Sequence, residues 1–118
     1  MIHNSSVVDK KAKIGKGVKI GPFCYIGPKV QISDGVELIS SIHIEGNTKI
    51  GKATRIFPFA SIGTPPQDRK YKGEDNSLAI GENNIIREYV TINPGTKGGG
   101  GKTIIGDNCL LMISSHVA

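Results

Sequence analysis

Branched aliphatic residues recur along this chain at intervals of six. Starting from Ile2 they fall at Val8, Ile14, Ile20, Ile26, Ile32, Leu38, Ile44, Ile50, Ile56 and Ile62, an unbroken run. The series resumes as Ile80, Ile86 and Ile92, and again as Ile105, Leu111 and Val117. A period of six does not fit the 3.6-residue turn of an amphipathic helix. It fits strands, because six is a multiple of two, and residues two apart on a strand face the same side. The positions two before each aliphatic are small or β-branched: Ser6, Ala12, Val18, Cys24, Val30, Val36, Ile42, Thr48, Thr54 and Ala60. Each hexapeptide therefore offers one short strand with a small and a large inward residue. Glycine follows the aliphatic at 15, 21, 27, 51, 63, 81 and 106. Glycine, Asn and Asp between strands suit tight corners that need positive φ.

A strand this short cannot bury its apolar face alone. Stacking coil on coil solves that by forming continuous inward ladders. Three hexapeptides per coil, with aliphatics stacking eighteen residues apart, predict a triangular prism in which Ile14, Ile32 and Ile50 lie one above another. Seventeen aliphatic positions in register do not suit the antiparallel strands of a sandwich. The predicted class is all-β, a parallel β-helix forming a single partial domain over 1–118. Two interruptions, near 64–79 and 97–103, are expected to emerge as loops, where binding residues concentrate on a rigid scaffold. The Gly98–Gly101 run reads as a flexible loop tip. It lacks the strand–loop–helix context of a phosphate cradle.

Charge and composition narrow the classes. Lys plus Arg number 15 against 10 Asp plus Glu, a formal charge of +5 that favours acidic partners or anionic substrates. Three Phe, three Tyr and no Trp supply few stacking platforms, so nucleic acid is not the expected partner. Cys24 and Cys109 make neither a disulfide framework nor a zinc pattern, and read as free thiols of a reducing compartment. The Met1-Ile2-His3-Asn4 start lacks the charged and apolar regions of a signal peptide. The cluster Leu110–Ile113 is too short to cross a bilayer. A cytoplasmic protein with no membrane association is expected.

The first interruption contains Gln67-Asp68-Arg69-Lys70-Tyr71-Lys72-Gly73-Glu74, and Asn84-Ile85-Ile86-Arg87-Glu88-Tyr89-Val90-Thr91-Ile92 follows. With Gly95-Thr96, Leu110-Leu111-Met112-Ile113 and His116-Val117-Ala118, these stretches resemble the acyl-ACP–UDP-N-acetylglucosamine O-acyltransferases, hexapeptide-repeat enzymes that open lipid A synthesis. Hexapeptide repeats alone are shared by acyltransferases, γ-class carbonic anhydrases and sugar-nucleotide enzymes, so the loop motif carries the likeness.

The resemblance implies a left-handed prism and a homotrimer with sites in the clefts between neighbours. There the sugar 3-hydroxyl attacks the thioester of a 3-hydroxyacyl acyl carrier protein, with a histidine as general base. No cofactor or metal is implied. The substrate-contacting Asp and Lys fall on Asp68 and Lys70. A sugar hydroxyl can donate to that Asp, and the Lys can pair with a phosphate or sugar oxygen.

His116 matches the substrate-side histidine. The catalytic histidine that the motif places directly after Ala118 is not in this sequence, so no catalytic residue is assigned. The likeness is to an N-terminal part, and the isolated chain is expected to lack turnover. Its last coil is expected to leave strand edges unpaired and Leu111 and Val117 uncovered. Asn93 stands where the family carries a histidine; it cannot carry charge, so a phosphate contact there would be weaker. His3, His43 and His116 do not share a repeat position, so no zinc site is expected and His3 and His43 read as surface residues. Three alternatives stand beside the enzyme. They are an inactive remnant, half of a split acyltransferase, and the later N-acyltransferase of the same pathway; the loop motif argues against the last.

Overall fold

The computed structural model describes residues 1–65, 76–95 and 101–118. Every regular element in them is a strand, and every strand pair is parallel. Three sheets form the sides of a prism. The first stacks β1 (Val7–Val8), β4 (Tyr25–Ile26), β7 (His43–Ile44), β10 (Ser61–Ile62), β13 (Thr91–Ile92) and β16 (His116–Val117). The second stacks β2 (Lys13–Ile14), β5 (Gln31–Ile32), β8 (Thr48–Ile50), β11 (Ser77–Ile80) and β14 (Lys102–Ile105). The third stacks β3 (Lys19–Ile20), β6 (Glu37–Leu38), β9 (Arg55–Ile56), β12 (Ile85–Ile86) and β15 (Leu110–Leu111).

The six-residue period accounts for the register. Ile14 pairs with Ile32 and Ile32 with Ile50, the ladder predicted for the second side. Val8, Ile26, Ile44 and Ile62 do the same on the first. From Ile20 to Ile92 every in-register aliphatic is at most 3 % exposed, so the prism interior is a dry column of branched side chains. Where the repeat is interrupted, Ser61 pairs with Thr91 and Leu78 with Thr103, so the ladder closes across both insertions. Strand pairing resumes at Ser77 and Lys102, inside the stretches that the aliphatic count assigns to the insertions. The count registers only the large inward residue; the pairing also takes in the inward position before it, Leu78 or Thr103.

The corners correct one expectation. Left-handed backbone falls three residues before the aliphatic on two corners of the prism, whatever residue stands there. On one corner these residues are Gly17, Gly35, Ala53, Asn83 and Asn108. On another they are Phe23, Ser41, Phe59, Tyr89 and Ser114. Coil geometry imposes the conformation even on bulky side chains that disfavour it by roughly 1 kcal/mol or more. Several of the glycines after the aliphatics answer a different need, though Gly63 also has the left-handed backbone. A Cβ on Gly21, whose φ is not positive, would collide with the Ile39 carbonyl oxygen of the next coil.

Cys24 is buried, and burial pushes its thiol up from the ordinary value despite hydrogen bonding with the Ile42 backbone and Ser6. Cys109 is half-buried, and both thiols are free. Thr48, Thr54, Asn84 and Thr103 are inward positions that depart from apolar chemistry. Asn84 is fully buried, its Nδ2 donates to the Gly106 carbonyl at 2.8 Å, and its Oδ1 accepts from the Cys109 N–H at 2.7 Å. These bonds satisfy backbone groups at the turn between β14 and β15. Asn84→Leu keeps the volume but leaves both groups without the side-chain partner, which predicts a loss of roughly 3 kcal/mol. Urea unfolding should show a lower midpoint at unchanged slope, and a midpoint equal to wild type would contradict the role.

Candidate functional site

The first sheet projects Val7, Tyr25, His43, Ser61, Thr91 and His116 outward as one column, because each precedes its inward aliphatic in register. The lower part of the column is occupied internally. The Tyr25 ring stacks on His43 at 4.9 Å, and His43 Nε2 lies 2.7 Å from Glu45 Oε1. The upper part is hydroxyl and imidazole: Ser61, then Thr91, then His116. Thr91 Oγ1 and His116 Nδ1 are 2.7 Å apart on the exposed face. That bond fixes the ring and leaves Nε2 for a ligand.

Of the residues singled out from sequence, His116 is thus an exposed, oriented imidazole. Asp68 and Lys70 lie outside the described residues. His3 and His43 are exposed, and His3 Nδ1 lies 2.8 Å from Ser5 Oγ. Among the described residues no group of three or more His, Cys, Asp or Glu converges as a metal cluster would.

Two residues gain a structural setting that sequence did not supply. Thr91 sits within the quoted motif, but its partnership with His116 spans 25 residues and needs the coil register to be seen. Asn93 is only 3 % exposed, so its amide is not presented to solvent as a substrate contact would be. Its Nδ2 donates to the carbonyl oxygen of Thr64 at 3.0 Å and lies 3.1 Å from Thr64 Oγ1.

Cationic groups near the corner between the third and first sheets are largely engaged. Arg55 and Arg87 lie 5.6 and 4.5 Å from the centre of the Phe57 ring. Arg55 pairs with Glu37 at 3.2 Å and Arg87 with Glu88 at 2.9 Å. Hydrogen bonding from Arg87 holds the Glu88 carboxyl below the usual value. These exposed pairs organise the surface but add little stability.

No family model matches the chain. It is 54 % identical over 116 residues to the acyl-[acyl-carrier-protein]–UDP-N-acetylglucosamine O-acyltransferase of Rickettsia bellii, covering 98 % of this chain and 41 % of that protein. It is 50 % identical over 117 residues to the protein of the same name from Thermodesulfovibrio yellowstonii, covering 99 % and 45 %. A crystal structure of a UDP-N-acetylglucosamine acyltransferase superposes with a TM-score of 0.99 at 53 % identity, over 100 % of this chain and 46 % of that one. The coils wind left-handed, as in that structure. The chain spans less than half the length of the relatives it matches.

The Thr91–His116 bond generates a direct expectation. Thr91→Val should free the imidazole, and nitrogen NMR should show His116 shifting toward the tautomer mixture of a solvated histidine. Affinity for any ligand read by Nε2 should fall about fivefold, the worth of one lost orienting hydrogen bond. An unchanged tautomer balance would show that the threonine does not set the ring.

Proposed function

We propose, for a chain that is over nearly its whole length a relative of the acyl-ACP–UDP-N-acetylglucosamine O-acyltransferases, that it supplies part of such an enzyme's binding surface. The reaction is transfer of a 3-hydroxyacyl chain from acyl carrier protein to the 3-hydroxyl of UDP-N-acetylglucosamine, the opening step of lipid A synthesis. One observation carries the proposal: half of all residues are identical along a superposing backbone, and the exposed first face bears an oriented His116.

The roles follow from chemistry. His116 Nε2 exchanges a hydrogen bond with the sugar nucleotide, held in place by Thr91. Asp68 accepts from a sugar hydroxyl, and Lys70 pairs with a phosphate or sugar oxygen. The formal charge of +5 favours arrival of a diphosphate and of an acidic carrier protein. The assembly is a homotrimer in the cytoplasm, with sites between neighbouring prisms, and needs no cofactor. In the competing reading the chain binds the sugar nucleotide but turns over only with a complementary segment. The span of 41 to 46 % of the relatives' length keeps that reading in view.

Purified chain, 3-hydroxyacyl-ACP and UDP-N-acetylglucosamine separate these cases. Binding of the nucleotide, weakened about tenfold or more by Lys70→Ala as a charge-assisted contact is lost, is the expected result. Turnover by the chain alone that is abolished by His116→Ala would make His116 the general base. Nucleotide binding that ignores Lys70→Ala would remove the loop from the site.

A further inference from the structure

The second face of the prism concentrates positive charge in its lower coils. Its outward column begins Lys13, Gln31 and Lys49, each in register with the next. The corner entering this face adds Lys10 and Lys11 before β2 and Lys29 before β5. The corner leaving it adds Lys16 after β2 and Lys52 after β8. All seven lysines are exposed. Against them stand three acids, Asp9, Asp34 and Glu45, so this region holds +4 of the formal charge of +5.

The three carboxylates are committed to other groups. Asp9 Oδ1 accepts from the Lys11 amide at 2.9 Å, and Asp34 Oδ1 from the Lys16 amide at 2.8 Å, both as caps on the backbone. Glu45 Oε1 lies 2.7 Å from His43 Nε2 of the first face. The ion pairs among the described residues use none of the seven lysines. The third face shows the alternative open to the same coils. There Lys19, Glu37 and Arg55 stack with alternating sign, and Arg55 bonds Glu37 at 3.2 Å. The same geometry on the second face would accept a carboxylate between two lysines, yet the residue there is Gln31. Lys13 and Lys49, two coils apart, are separated by about 10 Å, roughly one Debye length at 0.1 M salt, and so repel each other. The patch is also bounded. Higher on the same column stand Ala79 and Ile104, and higher on the leaving corner Glu82 and Asp107.

The chemistry selects among anionic partners. All seven cations are lysines, compact point charges without the planar fork by which arginine reads a carboxylate or phosphate. The lower coils of this face project no aromatic or large aliphatic side chain. A stable protein interface needs such anchors at its centre, and single-stranded nucleic acid needs them for stacking. Among the described residues no helix or projecting ribbon stands ready to enter a duplex groove. A flat array of ammonium groups matches a plane of anionic headgroups, where each lysine adds attraction without a fixed geometry. We propose that the lower part of the second face is a docking surface for an anionic lipid bilayer. The proposal does not rest on the sugar-nucleotide reading. It revises the expectation of no membrane association, and it does so as surface binding: among the described residues no helix is long and apolar enough to cross a membrane.

Cosedimentation of the full chain with vesicles of phosphatidylcholine, alone or mixed equally with phosphatidylglycerol, tests the proposal. The expected result is binding to the mixed vesicles at about 0.1 M salt, its loss at about 0.5 M, and none to phosphatidylcholine. Lys13→Gln with Lys49→Gln should weaken binding about 25-fold, and Gln31→Lys should strengthen it about fivefold. Lys19→Gln with Arg55→Gln removes the same charge from the third face and should cost less than about twofold. Equal losses from the two double variants would show that net charge alone acts, and would overturn the proposal. No binding to the mixed vesicles, or equal binding to both lipids, would overturn it as well. Glycerol phosphate at millimolar concentration should not compete; competition would mean a discrete phosphate site in place of a surface. An oligonucleotide, single-stranded or duplex, that binds more tightly than the vesicles with the same lysine dependence would assign the face to nucleic acid and overturn the proposal equally.

Discussion

The whole molecule depends on the hydrogen bonds between one coil and the next. Most of its strands are two residues long, and none could persist alone. Each borrows its partner from the coil above or below. On the first face the Val7, Tyr25, His43, Ser61 and Thr91 amides donate in turn to Cys24, Ile42, Ala60, Val90 and Ser115 carbonyls, at 2.9 to 3.1 Å. The bonds hold only if successive coils stay in register, and the inward aliphatic ladder enforces that register. A one-residue slip would turn every inward aliphatic outward and its outward neighbour in. Backbone pairing and apolar burial are therefore a single constraint met by one six-residue period.

That constraint shapes the functional surface. Because residues stack eighteen apart, chemistry is arranged in columns, and a side chain can be oriented by one far away in sequence. His116 held by Thr91 is such a case, and so is Asn84 satisfying the turn before β15. The insertions obey the same rule from outside. They lengthen a coil without breaking the ladder, and the buried side-chain atoms without partners among the described residues, on Asn76, Asn93 and Thr103, lie where they join it. The Asn93–Thr64 contacts lie at that place.

The fold was legible in the sequence because its determinant is one-dimensional: period, inward spacing and stacking distance can all be counted. The corners were less so. Left-handed backbone at Phe23, Phe59 and Tyr89 is imposed by coil closure, and no local preference of those residues announces it. Hand was legible only through resemblance, since a period is the same in either mirror image. His116 was singled out by motif, and Thr91 lay within the motif without its bond to His116. Asn93 was noticed only as a residue that cannot carry charge. Its environment, 3 % exposed against Thr64, decides what it does instead. Asp68 and Lys70 rest on motif alone.

The central claim is that this prism presents a sugar-nucleotide site on its first face beside the insertion roots. Nitrogen–proton NMR of the labelled chain during titration with UDP-N-acetylglucosamine tests it most directly. The account predicts saturable shifts at Thr64, Thr91, Asn93 and His116, with the outward residues Lys13, Gln31 and Lys49 of the second face unmoved. Shifts confined to the second face, or none at saturating nucleotide, would contradict it.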